Sequence, residues 1–228
     1  MSKSDLDVLF VSPLGWSRHI WDKICPLFEE KEVAFLDFLD HSYEQVNLEK
    51  IEEKLSYELC RLKPDGIVVA ASFGVVVVGH SYLSTHNQQC HQLILIDGFE
   101  TLPTNDELNQ LADQLPTNQY ATLQDYYNRM LEENEQQDMK LLEILNHNLS
   151  FYQERYHTKL SNENMISYLR CYLNYSVKNT LAKIRQQVNQ LIIYSSIALP
   201  IPHEKITPDN HLLMLTNLKI LTNQIANL

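Results

Sequence analysis

Gly66-Ile67-Val68-Val69-Ala70-Ala71-Ser72-Phe73-Gly74 decides the fold. The run up to Ala71 is apolar and rich in β-branched residues, as a buried strand requires, and from Phe73 onward the chain reads as a helix. A strand that turns into a helix around a serine has the layout of a nucleophile elbow, where a tight turn holds the hydroxyl clear of the backbone above a sheet edge. The usual pattern is Gly-x-Ser-x-Gly, and here it reads Ala70-Ala71-Ser72-Phe73-Gly74. Small residues are wanted because the strained turn crowds the neighbouring backbone; Ala70 departs modestly and Gly74 matches. Such a serine implies attack on an acyl carbonyl, as in serine hydrolases and acyltransferases.

A second serine competes, because Val78-Gly79-His80-Ser81-Tyr82 also carries a Gly-His-Ser core. Spacing decides between the two. From Ser81, only residues 82 to 91 would remain for a helix and its turn before the next apolar run, Gln92-Leu93-Ile94-Leu95-Ile96. That is too short for a crossover that returns a parallel strand to the sheet. From Ser72 there is room for a helix from Phe73 to about Thr85 and a polar connection, which makes a βαβ unit.

A serine hydroxyl is a poor nucleophile at neutral pH, so Ser72 needs a histidine to take its proton and a carboxylate to orient that histidine. Of the nine histidines, His80, His86 and His91 follow Ser72 too closely to approach it from across the site. His147 and His157 fall in a polar stretch that reads as helical, and are expected at the surface. His211 follows the turn signal Thr207-Pro208-Asp209-Asn210 and opens Leu212-Leu213-Met214-Leu215, the start of a last helix expected to run to Leu228. That is where a doubly wound hydrolase presents its base.

The acid is placed by strand ends. The last long apolar run, Leu191-Ile192-Ile193-Tyr194, leads into Ser195-Ser196-Ile197-Ala198-Leu199-Pro200-Ile201-Pro202, without a carboxylate until Glu204. Leu93-Ile94-Leu95-Ile96, by contrast, runs straight into Asp97-Gly98, at the sheet edge where ligand sites form. Asp97 is therefore the expected acid, with Glu204 in reserve. An Asp-Gly pair that merely makes a turn is the competing reading.

These features together resemble the thioesterase domains of nonribosomal peptide and polyketide synthases, members of the α/β-hydrolase fold. The match lies in the Ser72 elbow, in Ile96-Asp97-Gly98, in a long insertion after it, and in Asn210-His211-Leu212-Leu213-Met214-Leu215. It spans most of residues 6 to 98 and 188 to 228 at low identity, and departs at Ala70 and at Asn210, where the family has glycine. The resemblance implies a mostly parallel, doubly wound α/β sheet with an inserted helical lid, no cofactor, and acyl thioester or ester substrates. It also allows an acyl carrier protein as a partner. The amino-terminal Asp7-Val8-Leu9-Phe10-Val11 and Ser12-Pro13-Leu14-Gly15-Trp16 fit the strand and loop that supply one oxyanion-hole N–H in many α/β-hydrolases. By position, the Leu14 and Phe73 amides are the expected donors. His19 and Trp21 read as packing residues.

Composition bounds the rest. The chain of 228 residues, 44% hydrophobic, suits one domain with a substantial core. Cys25, Cys60, Cys90 and Cys171 are scattered, which points to reduced thiols and a cytoplasmic protein, with no disulfide or metal framework. The acidic beginning, Met1-Ser2-Lys3-Ser4-Asp5-Leu6-Asp7, does not read as a secretory signal, and no run is long enough for a membrane helix. A formal net charge of −11 opposes general nucleic-acid binding.

All five glycines lie in the first 98 residues, where tight βα turns need them. From about 101 to 187 the chain is rich in Asn, Gln, Glu and Tyr with helical spacing, as in Leu108-Leu111-Leu115 and Met165-Leu169-Tyr172-Leu173. The expectation is a core of residues 1–100 and 188–228 with a helical lid between. Tyr126, Tyr127, Phe151 and Tyr152 read as helix-packing or pocket-wall aromatics of that lid. The leading functional reading is a thioesterase that works through an acyl-enzyme. A carboxylesterase and an inactive hydrolase-like binding protein are the alternatives.

Overall fold

The structure is a computed structural model that describes residues 5–39, 46–84, 92–115, 117–206 and 213–216. In chain order the first half gives β1 (Leu6–Val11), β2 (Val33–Leu36), α1 (Leu48–Arg61), β3 (Leu62–Ala71), α2 (Phe73–Ser84), β4 (Gln92–Ile96) and α3 (Asn105–Gln114). There follow β5 (Gln119–Tyr120), α4 (Leu123–Met130), α5 (Met139–Asn146), β6 (Leu149–Tyr152) and β7 (Arg155–Thr158). The chain continues with α6 (Asn162–Arg170), α7 (Leu181–Gln187), β8 (Gln190–Ser195), β9 (Glu204–Lys205) and α8 (Leu213–Thr216).

The described strands of the main sheet run in the order β2-β1-β3-β4-β8-β9, and every neighbouring pair is parallel. Alternation along the strands sorts their side chains onto two faces. Leu9, Val11, Val68, Ala70, Leu93, Leu95 and Ile193 meet α1, α2 and α7, while Val8, Phe10, Val69, Ala71, Ile94, Ile96 and Tyr194 meet Ile20, Trp21, Ile24 and Met214. With both faces covered, the strands read as continuous apolar runs, which is why they are visible in the sequence. Each fully buried Val, Leu or Ile contributes about 1.5–3 kcal/mol of apolar burial.

Residues 101–187 do not form a purely helical insert. β5, β7 and β6 make a small antiparallel sheet, with Phe151 and Tyr152 on β6 and His157 on β7. The helical reading of those three residues is therefore corrected. His157 is also buried, with its ring stacked 3.6 Å from that of Tyr152, while His147 caps the end of α5 and is half-buried. The reason is the two-residue turn Gln153-Glu154, with φ of 50° and 59°. Positive φ at both central residues is the hairpin turn usually written with Asn and Gly, and neither is present here.

The insert packs in two ways. Tyr120, Tyr126, Tyr127, Leu145 and Leu149 form an aromatic cluster of their own, touched by Trp16 of the core. α6 and α7 instead belong to the main apolar cluster: Tyr168 and Tyr172 lie edge-on to Phe73, at 6.0 and 5.6 Å between ring centres. The Tyr172 hydroxyl is buried, without a hydrogen-bond partner among the described residues, and burial holds its pKa far above the ordinary tyrosine value. Tyr172→Phe should therefore be neutral to stabilising, by up to about 1 kcal/mol in urea unfolding, because it deletes an unpaired polar atom and keeps the ring.

Candidate active site

The chain leaves β1 for β2 at one edge and then crosses back to β3 on the other side of β1, so the loops after β1 and β3 diverge. A parallel sheet opens a crevice at that reversal, outside the carboxyl ends of its strands. Leu14 follows β1 there and Ser72 follows β3.

Ser72 has φ of 52°, a left-handed conformation that costs a non-glycine residue about 1–3 kcal/mol. Backbone bonds hold it in place. Its N–H donates to the Ile96 carbonyl at 2.9 Å, and its carbonyl accepts from Val75 N–H at 2.9 Å. Phe73 is the first residue of α2, so its N–H is among those that an α-helix leaves without an internal partner.

Two glycines let the surrounding chain close on this turn. A β-carbon on Gly74 would stand 2.5 Å from the Val11 carbonyl oxygen, so α2 begins hard against the end of β1 and the Leu14 loop. A β-carbon on Gly98 would stand 2.2 Å from the Ser72 carbonyl oxygen, and Gly98 itself has φ of 87°. The loop after β1 is tied separately: Ser12 N–H donates to the Leu36 carbonyl at 2.9 Å, and Trp21 Nε1–H donates to Ser12 Oγ at 3.0 Å. That serine is an anchor for Trp21.

Asp97 also adopts a left-handed conformation, with φ of 52°, and its N–H donates to the Tyr194 carbonyl at 2.8 Å. Its side chain is 4% exposed. Ser196 Oγ lies 2.9 and 3.0 Å from the two carboxylate oxygens and donates to the carboxylate, and the Ser196 N–H approaches at 3.4 Å. Ser196 was not singled out in the sequence. The available signal was the absence of a carboxylate after β8, where this hydroxyl now meets the acid from the neighbouring strand.

Leu14, Ser72, Phe73, Asp97, Glu100 and Ser196 line one cavity of about 430 Å³. Four of the five expected site residues thus share it. The fifth, His211, lies outside the described residues. None of the described histidines lines the cavity. His80 bonds Glu52 at 2.7 Å across α2 and α1, His203 bonds the Ile201 carbonyl at 2.9 Å, His19 and His147 stack on each other, and His157 is buried in the small sheet. Glu204, the reserve acid, is exposed on β9 and does not line it either. Among the described residues, no group of three or more His, Cys, Asp or Glu is placed to hold a metal ion. No helix among them is long and apolar enough to cross a membrane.

Neither a protein-family model nor a curated protein sequence matches the chain. Solved structures do. A thioesterase domain from the curacin biosynthetic pathway superposes with a TM-score of 0.64 at 15% identity, covering 96% of this chain and 90% of that one. E-2-(acetamidomethylene)succinate hydrolase gives 0.69 at 11% identity over 99% and 93%. This chain has the α/β-hydrolase fold. The same fold likeness extends to 1H-3-hydroxy-4-oxoquinoline 2,4-dioxygenase, with a TM-score of 0.62 at 14% identity over 99% and 92%. An α/β-hydrolase fold therefore fixes the scaffold, and the chemistry must be argued from the site.

Gly98→Ala should destabilise the protein by at least about 2 kcal/mol, since it combines positive-φ strain with a backbone collision. Urea unfolding of the variant measures this; a change within about 0.5 kcal/mol would show that the turn does not press on Ser72.

Proposed function

We propose that the chain is a serine-dependent acyl hydrolase, with thioesters as its preferred substrates. The observation that carries this reading is a strained serine at a strand-to-helix turn, on one cavity with a buried aspartate from the next strand. Strain of this kind persists only where the surrounding packing over-determines it, and it concentrates at sites that use it. The thioester preference is supported by the position of the acid after β4, which matches the resemblance found in the sequence.

In the proposed reaction, Ser72 Oγ attacks the acyl carbonyl carbon and its proton passes to His211. Asp97 orients the imidazole and stabilises its charged form. The Leu14 and Phe73 N–H groups receive the oxyanion, each worth roughly 3 kcal/mol of transition-state stabilisation. The carbon–sulfur bond then breaks, and the thiolate leaves with the proton from His211. Water, deprotonated by the same imidazole, attacks the acyl-enzyme; the acid is released and the serine regains its proton. An acyl carrier protein would deliver such a thioester, as would a free pantetheine conjugate.

Intact-mass labelling with a fluorophosphonate tests the reading. Wild type should take a single adduct that Ser72→Ala abolishes, and Ser72→Ala or His211→Ala should lower thioester turnover by about 10³ or more with folding intact. Labelling that survives in the Ser72→Ala protein would refute the assignment. Paired thioester and oxygen-ester substrates with one acyl group measure the preference.

Ser196→Ala should leave the adduct in place but lower kcat by roughly tenfold with little change in KM, because the hydroxyl positions Asp97 rather than binding substrate. Ser196→Thr, which keeps the donor, should recover most of the rate. An unchanged kcat in the alanine variant would remove Ser196 from the site.

A further inference from the structure

A second and larger cavity, of about 840 Å³, opens between the core and the small sheet. The core contributes Arg18, His19 and Asp37, and the insert contributes His147, Phe151 and Lys159. In a chain of net charge −11, four side chains able to carry positive charge therefore face one carboxylate among the described residues. That carboxylate is engaged, since Asp37 Oδ2 accepts from Arg18 N–H at 3.1 Å and Oδ1 from Leu39 N–H at 3.5 Å. Among the described residues, neither Arg18 nor Lys159 has a carboxylate within ion-pair distance. The Arg18 guanidinium instead lies 6.0 Å from the centre of the Phe35 ring.

The imidazoles add a second, independent sign. His19 and His147 stack with ring centres 3.5 Å apart and planes 14° from parallel, and His19 Nδ1 lies 3.0 Å from Asp22 Oδ2. The neighbouring His19 ring disfavours charge on His147, and an anion in the cavity would favour it. Burial, His19 and Lys159 hold His147 below the ordinary histidine pKa, against the opposing pull of Asp22 and Glu143. On the same cavity wall, Phe151 is 62% exposed and Tyr152 51%, which offers apolar surface to the organic part of a ligand.

We propose that this cavity binds a phosphate ester, its phosphate held by Lys159, Arg18 and the His19–His147 pair. A phosphate monoester, doubly charged near neutral pH, suits donors that arrive from several sides, whereas a carboxylate would need only one bidentate partner. The cavity also adjoins the Ser72 cavity through one loop, since Leu14 lines the first and Ser17 the second. A phosphate held here would be a remote handle on a substrate whose carbonyl reaches Ser72, and remote binding of this kind orients the reacting group. The binding claim itself does not depend on Ser72 being a nucleophile.

The phosphate could come from a pantetheine arm or from a nucleotide joined to it, and titration calorimetry on the Ser72→Ala protein separates these sources. 4′-Phosphopantetheine should bind and pantetheine should not; coenzyme A, whose arm phosphate is a diester and whose nucleotide carries a monoester, would assign the cavity to the nucleotide phosphate by binding tighter than phosphopantetheine, and to the arm phosphate by binding equally or more weakly. Lys159→Ala should weaken phosphopantetheine at least about tenfold, and Lys159→Arg should restore it.

Because an anion raises the depressed pKa of His147, binding should take up a proton and tighten as the pH falls toward about 6, below which a phosphate monoester itself loses charge. His19, Asp22, Arg18, Asp37, Glu143 and Lys159 all face that imidazole or its cavity, so His147→Gln is the variant that isolates its share and should flatten the profile. Equal affinity for pantetheine and phosphopantetheine, or a Lys159→Ala protein that binds as wild type, would overturn the proposal. Neither result bears on fluorophosphonate labelling of Ser72.

Discussion

The turn Asp97-Gly98 presses against the backbone of Ser72 so closely that no side chain fits at Gly98, and the geometry of the site follows from this contact. It couples two adjacent strand ends. The Ser72 N–H is held by the Ile96 carbonyl, and the next residue along, Asp97, is held in turn by the Tyr194 carbonyl of β8. Serine and aspartate are therefore set by the register of β3, β4 and β8 rather than by loop conformation. Sites built on sheet edges hold their geometry better than sites on loops. Gly74 makes the equivalent contact on the other side, where α2 meets the end of β1.

The insert is joined to this rigid frame by two unlike interfaces. α6 is bound through aromatic packing on Phe73 and Phe38, next to the elbow itself. The small sheet and α5 are bound through polar contacts: Ser17 N–H donates to Asn148 Oδ1 at 2.9 Å, Lys23 pairs with Asp138 at 2.8 Å, and His19 stacks on His147. Polar contacts contribute about 1 kcal/mol or less each, so this second interface rests more on hydrogen bonding and charge than on apolar burial. It is also the interface that holds the larger cavity.

What the sequence displayed and what it concealed divide along the same physical line. Buried parallel strands are apolar on both faces, so β1, β3, β4 and β8 stand out as runs, and the serine and aspartate that end two of them stand out with them. The β6–β7 hairpin was invisible because Gln153-Glu154 carries a turn normally marked by Asn and Gly. Ser196 was overlooked because its function depends on Asp97, 99 residues away. The cationic cavity draws on positions 18, 19, 147 and 159, which no spacing rule connects. His211 lies outside the described residues, so its place rests on the sequence reading.

Net charge and local charge lead to different expectations for the substrate. At −11 the chain repels a polyanion, and an acidic carrier protein would meet that repulsion across its whole docking surface. A phosphate on a flexible arm meets it much less, because screening in physiological salt confines such fields to about 8 Å. Once inside the cavity, the arm would see Lys159, Arg18 and the imidazole pair in place of the acidic exterior. The electrostatics therefore favour a ligand whose negative charge is compact and carried at the end of a tether. In the proposed reaction this would select among acyl donors by the group that carries the acyl chain, leaving the pocket around Ser72 to select the acyl chain itself.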